Sequence, residues 1–167
     1  MTAQIPESLR IEGEEVSMCT EPLASYFSLA GVDMLFEATN TALWRGYVGS
    51  WEIFGSRLYL VDLKGQLKSG QFANIATVFP GFPDRVFAHW YSGVLRVPKG
   101  KRLRYVHRGY GSVYEGDEFI TINRGLTISK TLVVNRAKPG PITSEDEYAV
   151  HALYSFASNR VSKGDSP

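Results

Sequence analysis

The sequence predicts a mainly β, α+β domain. Its expected form is a barrel or curved two-sheet sandwich of roughly eight to ten strands, with a short helix in the N-terminal half and another near the C-terminus. Three observations carry this. The stretch Trp44 to Leu63 reads as two strands folded back at Phe54-Gly55-Ser56: Tyr47, Gly49, Trp51 and Ile53 share one face at period two, and Leu58, Leu60 and their neighbours put bulk on both faces of the return arm. Aromatic residues make up 13% of the chain, a share that suits pleated, half-buried surfaces. Elsewhere the apolar runs are short and punctuated by Gly and Pro, and helical spacing emerges at only two places.

The chain has 167 residues, which points to one domain over 1–159 followed by a polar tail over 160–167. A domain of that size buries roughly 70% of its unfolded surface and needs no staple. Net charge is +1, from 18 basic and 17 acidic residues, so nothing draws the whole molecule to nucleic acid or an anionic membrane. The lone cysteine, Cys19, can form neither an internal disulfide nor a thiolate cage. The start, MTAQIPESLRIEGEE, lacks a basic-then-apolar leader, and no window approaches the roughly 18 apolar residues of a membrane helix. A cytoplasmic setting follows as the expectation.

In chain order, Ser8 to Glu12 alternates as a short strand, and Glu15 to Cys19 follows across Gly13. Thr20-Glu21-Pro22 opens a helix with Thr20 as its cap; Leu23, Tyr26, Phe27 and Ala30 form its stripe and Gly31 stops it. Met34 to Ala38 is a strand candidate before the central hairpin. Lys64 to Ala73 is polar, Ile75 to Phe79 apolar, and Pro80 to Asp84 a loop. Arg85 to Val97 reads as a second aromatic strand, turned at Pro98 to Lys101 into Leu103 to His107. Gly109-Tyr110-Gly111 interrupts. Ser112 to Glu115 then pairs across Gly116-Asp117 with Phe119 to Ile122, and Gly125 leads into a strand over Leu126 to Val134. Past the breaker Lys138 to Pro141, Glu145-Asp146-Glu147 open a helix over Ser144 to Ser158, with Val150, Leu153, Tyr154 and Ala157 on one stripe.

The segments Asn40 to Tyr47 (NTALWRGY), Gly49 to Ile53 (GSWEI), Phe87 to Gly93 (FAHWYSG) and Tyr105 to Glu115 (YVHRGYGSVYE) resemble a small bacterial family of unassigned function. The likeness spans roughly Ile5 to Asn135 and implies a bacterial origin; it carries no catalytic residue and no ligand. Together with the size of the chain it suggests a role in bacterial conflict, as immunity or counter-defence.

The residues that could carry chemistry are Arg45, Tyr47, His89, His107, Arg108 and Tyr110 as a binding set for a small anionic or aromatic ligand or a protein partner. Arg45 supplies charge beside Gly46, where a ligand could approach the backbone. The alternative is a hydrolase or transferase acting on a nucleotide or sugar, with His107 or His89 as base and Glu115 as acid or orienting group. Glu52 and Asp62 are further carboxylates in apolar strands, for which an Arg45 or Arg57 pair on a solvated face is the plainer reading. No metal is expected, because His89 and His107 lack a third ligand, and no cofactor motif is present. His89 and His107 lack the following Thr or Ser of a two-histidine phosphoesterase. The basic run Lys99 to Arg104, with Arg96, Arg108 and nearby Tyr105 and Tyr110, is either an anion-binding surface or a charged, self-protecting edge. Trp44, Tyr47, Trp51, Tyr59, Trp90 and Tyr91 are expected mostly in the core.

Overall fold

The computed structural model describes residues 2–32 and 35–135. The predicted terminal helix over Ser144 to Ser158 and the domain boundary at 159 lie outside the described residues. Nine strands form one mixed sheet: β1 Glu7–Ile11, β2 Glu14–Met18, β3 Tyr47–Phe54, β4 Arg57–Gln66, β5 Phe72–Ala73, β6 Val86–Phe87, β7 Gly93–Arg104, β8 Val113–Asn123 and β9 Leu126–Val134. Two helices, α1 Pro22–Ala30 and α2 Ile75–Val78, complete the described elements. The sheet order is β2-β1-β3-β4-β9-β8-β7, with β5 and β6 on β4.

The sheet is curled. β4 meets β9 at one register pair, Arg57 with Leu126, so the two halves turn a corner there. At the opposite seam Cys19 N–H donates to the Arg96 carbonyl at 2.9 Å, tying the end of β2 to β7. One core therefore fills the interior: Leu9, Met18, Trp51, Leu58, Leu60, Leu63, Leu95, Val97, Ile120 and Ile122 are all buried. Burying each such side chain fully contributes about 1.5–3 kcal/mol. No helix of the described residues is long and apolar enough to cross a membrane.

The central hairpin has the expected form. Gly55 and Ser56 take φ of 55° and 62°, the positive pair that a type I′ turn requires and that matches strand twist. β3 alternates inward as read, with Tyr47, Gly49 and Trp51 buried. A register shift at Ser50/Trp51 leaves Val61 as the extra residue of a bulge in β4. The parallel pairing of β1 with β3, Ser8 opposite Ser50, is a long-range contact that no local pattern announces.

Several local readings are corrected. Thr20 does not cap α1; Glu21 occupies that position without a side-chain cap bond, and Thr20 Oγ1 accepts the Arg96 N–H at 2.9 Å. Arg85 to Val97 is not one strand: β6 covers two residues, and β7 starts at Gly93. Pro98 to Lys101 is not a turn, because β7 runs through it with register shifts against β8. Gly116-Asp117 is likewise internal to a continuous β8, held by partners on both sides. Residues 105–112 form no strand. Phe36 makes a single bridge to Leu67 where a strand was expected. Trp44, expected in the core, is 70% exposed.

α1 packs through Tyr26 and Phe27. Tyr26 lies 4.6 Å from the Phe79 ring, Phe79 stacks on Trp90 at 5.3 Å, and Phe27 meets Tyr47 edge-on at 5.8 Å. This ring cluster fixes the start of β3, and with it Arg45 two residues earlier.

Candidate functional site

The structure gathers three of the predicted residues, Arg45, Tyr47 and Tyr110, around two acids the sequence reading passed over, Glu7 and Glu21. Arg45 Nε donates to Glu7 Oε1 at 3.3 Å, Nη1 to Tyr110 Oη at 3.1 Å and Glu21 Oε1 at 3.4 Å, and Nη2 to the Ile5 carbonyl at 3.0 Å. Its guanidinium lies 5.5 Å from the centre of the Tyr47 ring. Tyr110 donates to Glu21 Oε1 at 2.7 Å. Burial, then the Glu21 carboxylate, pushes the Tyr110 hydroxyl above its ordinary value and keeps it protonated.

Glu7 is the innermost member, 1% exposed. It accepts from the Trp51 indole N–H and the Gly49 N–H. Loss of solvent pushes its carboxyl up to about 7, opposed by Arg45 and by the two hydrogen bonds. Gly49 gives the carboxylate its room, since a Cβ there would lie 2.8 Å from both Glu7 Oε2 and Trp51 Nε1. Gly49→Ala is therefore expected to destabilise by about 1–3 kcal/mol, read as a lowered Tm. The Tyr47 hydroxyl is buried with no hydrogen-bond partner among the described residues, and burial followed by Glu7 raises its pKa.

A second buried ion pair stands beside the first. Arg96 and Asp117, 4% and 6% exposed, meet at 2.8 Å. Arg96 also donates to the carbonyls of Tyr110 at 2.6 Å and Ser112 at 3.0 Å, while Asn135 Nδ2 donates to Asp117 Oδ2 at 2.8 Å. Tyr110 thus joins the clusters, its carbonyl on Arg96 and its hydroxyl on Glu21 and Arg45. It is half-buried in these contacts and does not stand free beside the basic run.

The other candidates lie apart. No hydrogen bond, ion pair or ring contact links His89 or His107 to Arg45 among the described residues. His89 is exposed, its Nδ1 3.2 Å from the Phe87 carbonyl. His107 is exposed and paired with the Tyr105 hydroxyl at 2.9 Å, with exposed Arg108 next to it. Glu115 Oε2 accepts the Lys101 N–H at 2.8 Å. Glu52 pairs with Arg10 and Asp62 with Lys64, in place of the Arg45 or Arg57 expected. No group of three His, Cys, Asp or Glu side chains among the described residues is placed to hold a metal ion.

Glu7 had a legible signal: it shares the parity of Leu9 and Ile11, the inward face of β1. Arg96 had one too, standing inside the apolar run Val94-Leu95-Arg96-Val97.

The second surface feature is β9. Past its single pair with β4, no backbone partner meets its second edge from Ile128 to Val134 among the described residues. Ile128, Leu132 and Val134 are 61%, 60% and 73% exposed. Two shallow depressions, of about 190 and 240 Å³, flank the nearby Lys130–Glu12 ion pair.

Among the described residues, fold and clusters together define a curled mixed-sheet domain pinned by two buried ion-pair networks, with an apolar strand edge on β9 that none of them pairs. Comparison with protein-family models, with curated proteins and with solved structures finds no match.

Proposed function

We propose that the chain is a non-catalytic binding module that takes a protein partner by strand addition along β9. The observation that carries this is the second edge of β9, which no strand of the described residues pairs beyond Leu126, together with the exposed apolar side chains of Ile128, Leu132 and Val134. Sheet edges are normally blunted by charge, proline or bulges. β7, at the end of the strand order, follows that rule with Pro98, Lys99, Lys101 and Arg102. β9 is less protected: it holds no proline, its one charged residue, Lys130, is engaged by Glu12 at 3.6 Å, and its one bulge falls at Ile128, leaving Ser129 to Val134 in regular register with β8.

A protein partner is favoured over a small ligand because every guanidinium nitrogen of Arg45 already donates within the protein, to Glu7, to Glu21 and Tyr110, and to the Ile5 carbonyl. The depressions beside β9 also fall below the roughly 300 Å³ at which small-molecule pockets begin. The setting proposed is cytoplasmic, which the single buried thiol of Cys19 supports.

Selection from a displayed library of random short peptides tests the reading. Enriched ligands are expected to be extended and rich in alternating β-branched residues, and Leu132→Glu is expected to weaken them by about tenfold or more. His107→Ala combined with Arg108→Ala should leave their affinity unchanged. Ligands lost with the loop variant and indifferent to Leu132→Glu would move the site to residues 105–110 and overturn the proposal.

A further inference from the structure

We propose that the apolar row of β9 is covered, when no partner is bound, by the chain's own segment 144–158, which a partner then displaces. The displacement, though not the cover, rests on β9 being the docking strand.

The chain leaves the sheet at a fixed point. Asn135 N–H donates to the Glu115 carbonyl at 2.8 Å, and its side chain donates to the Tyr114 carbonyl and to Asp117. Residues 136–167 follow that anchor directly. Residues 136–143 include the breaker Lys138-Pro139-Gly140-Pro141 and can reach at most about 29 Å, enough to reverse direction. The predicted helix beyond is about 22 Å long, against about 30 Å for β9.

The chemistry matches at both ends. Val150, Leu153, Tyr154 and Ala157 form an apolar stripe in the sequence, and Leu132 and Val134 form a row that no described residue covers, on the strand just before it. Lys130, Leu132 and Val134 share one face of β9, because they pair in register with Ile120, Glu118 and Gly116. Glu145-Asp146-Glu147 open the segment. The register Val134 to Gly116 to Lys99 sets the exposed Lys101 and Arg102 two strands from the exit. The acidic opening of the segment and this basic pair are complementary in charge. Tethering favours this occupant over a second copy, since a short linker supplies an effective concentration in the millimolar range.

The test uses the full chain with benzoylphenylalanine at position 132, and separately at 134, in a mixture of ¹⁵N-labelled and unlabelled protein. Irradiation and mass spectrometry are expected to show crosslinks to residues 144–158 within chains of one isotope. Mixed-isotope crosslinks would assign the cover to a second copy, and crosslinks confined to the sheet would show no cover; either overturns the proposal. Reversing Glu145, Asp146 and Glu147 to Lys should reduce the crosslink. If nine chains in ten are covered, it should also tighten a selected peptide by about tenfold. An intact crosslink with no peptide effect of Leu132→Glu would remove the docking role of β9 and leave the cover standing.

Discussion

Replacing Arg96 by Met is expected to lower the stability of the domain by about 3–5 kcal/mol, measured by equilibrium urea unfolding. The side chain is almost wholly buried and serves three acceptors: Asp117 Oδ1 at 2.8 Å, the Tyr110 carbonyl at 2.6 Å and the Ser112 carbonyl at 3.0 Å. Methionine fills the volume and supplies no donor. Among the described residues Asp117 would keep only Asn135 as a side-chain partner, and a buried carboxylate short of donors is costly. Adding Asp117→Leu to Arg96→Met is expected to recover much of the loss, since the stranded charge goes with it. The two backbone contacts of Arg96, to Cys19 and Thr20, survive either change. A loss below about 1 kcal/mol for Arg96→Met would place the pair in the exposed class and remove it as the anchor of residues 105–112.

The second large effect is on pH dependence. Burial raises Glu7 from 4.5 in a solvated chain to about 7 in the folded domain. Between those values the folded state holds a proton that the unfolded chain has released. Stability from this group is therefore complete below pH 4.5 and is lost as pH rises through 7, by roughly 3 kcal/mol over the whole range. Glu7→Gln keeps an acceptor for the Trp51 indole and removes the titration. The difference in unfolding free energy between wild type and Glu7→Gln should thus change across pH 4.5–7 and be flat above it. A wild-type profile that matches the variant throughout would show that Arg45 holds the carboxylate ionised as in water.

What the sequence disclosed was mostly what local chemistry decides. The Gly55-Ser56 turn, the Gly31 stop and the strand after Gly125 each depend on neighbouring residues and were readable. Pro98 misled because β7 ends the strand order, where a missing amide is tolerated and a register shift absorbs the irregularity. Gly116-Asp117 misled because a Gly-Asp pair resembles a turn, whereas β7 and β9 hold both residues inside a ladder. Of the site, Arg45 and Tyr47 were recognisable as neighbours in a charged, ring-bearing stretch. Their partners Glu7, Glu21 and Tyr110 arrive through the β1–β3 pairing and the Arg96 contacts, which are long-range. Arg96 was grouped with a basic run by proximity, although its apolar neighbours marked it as buried.

With the Arg45 nitrogens engaged by the protein's own groups, β9 is the proposed recognition strand. Hydrogen exchange with and without a selected peptide tests that assignment most directly. Protection is expected at the amides of Ile128 to Val134, with residues 105–110 unchanged. Protection at 105–110 with β9 unaffected would contradict it.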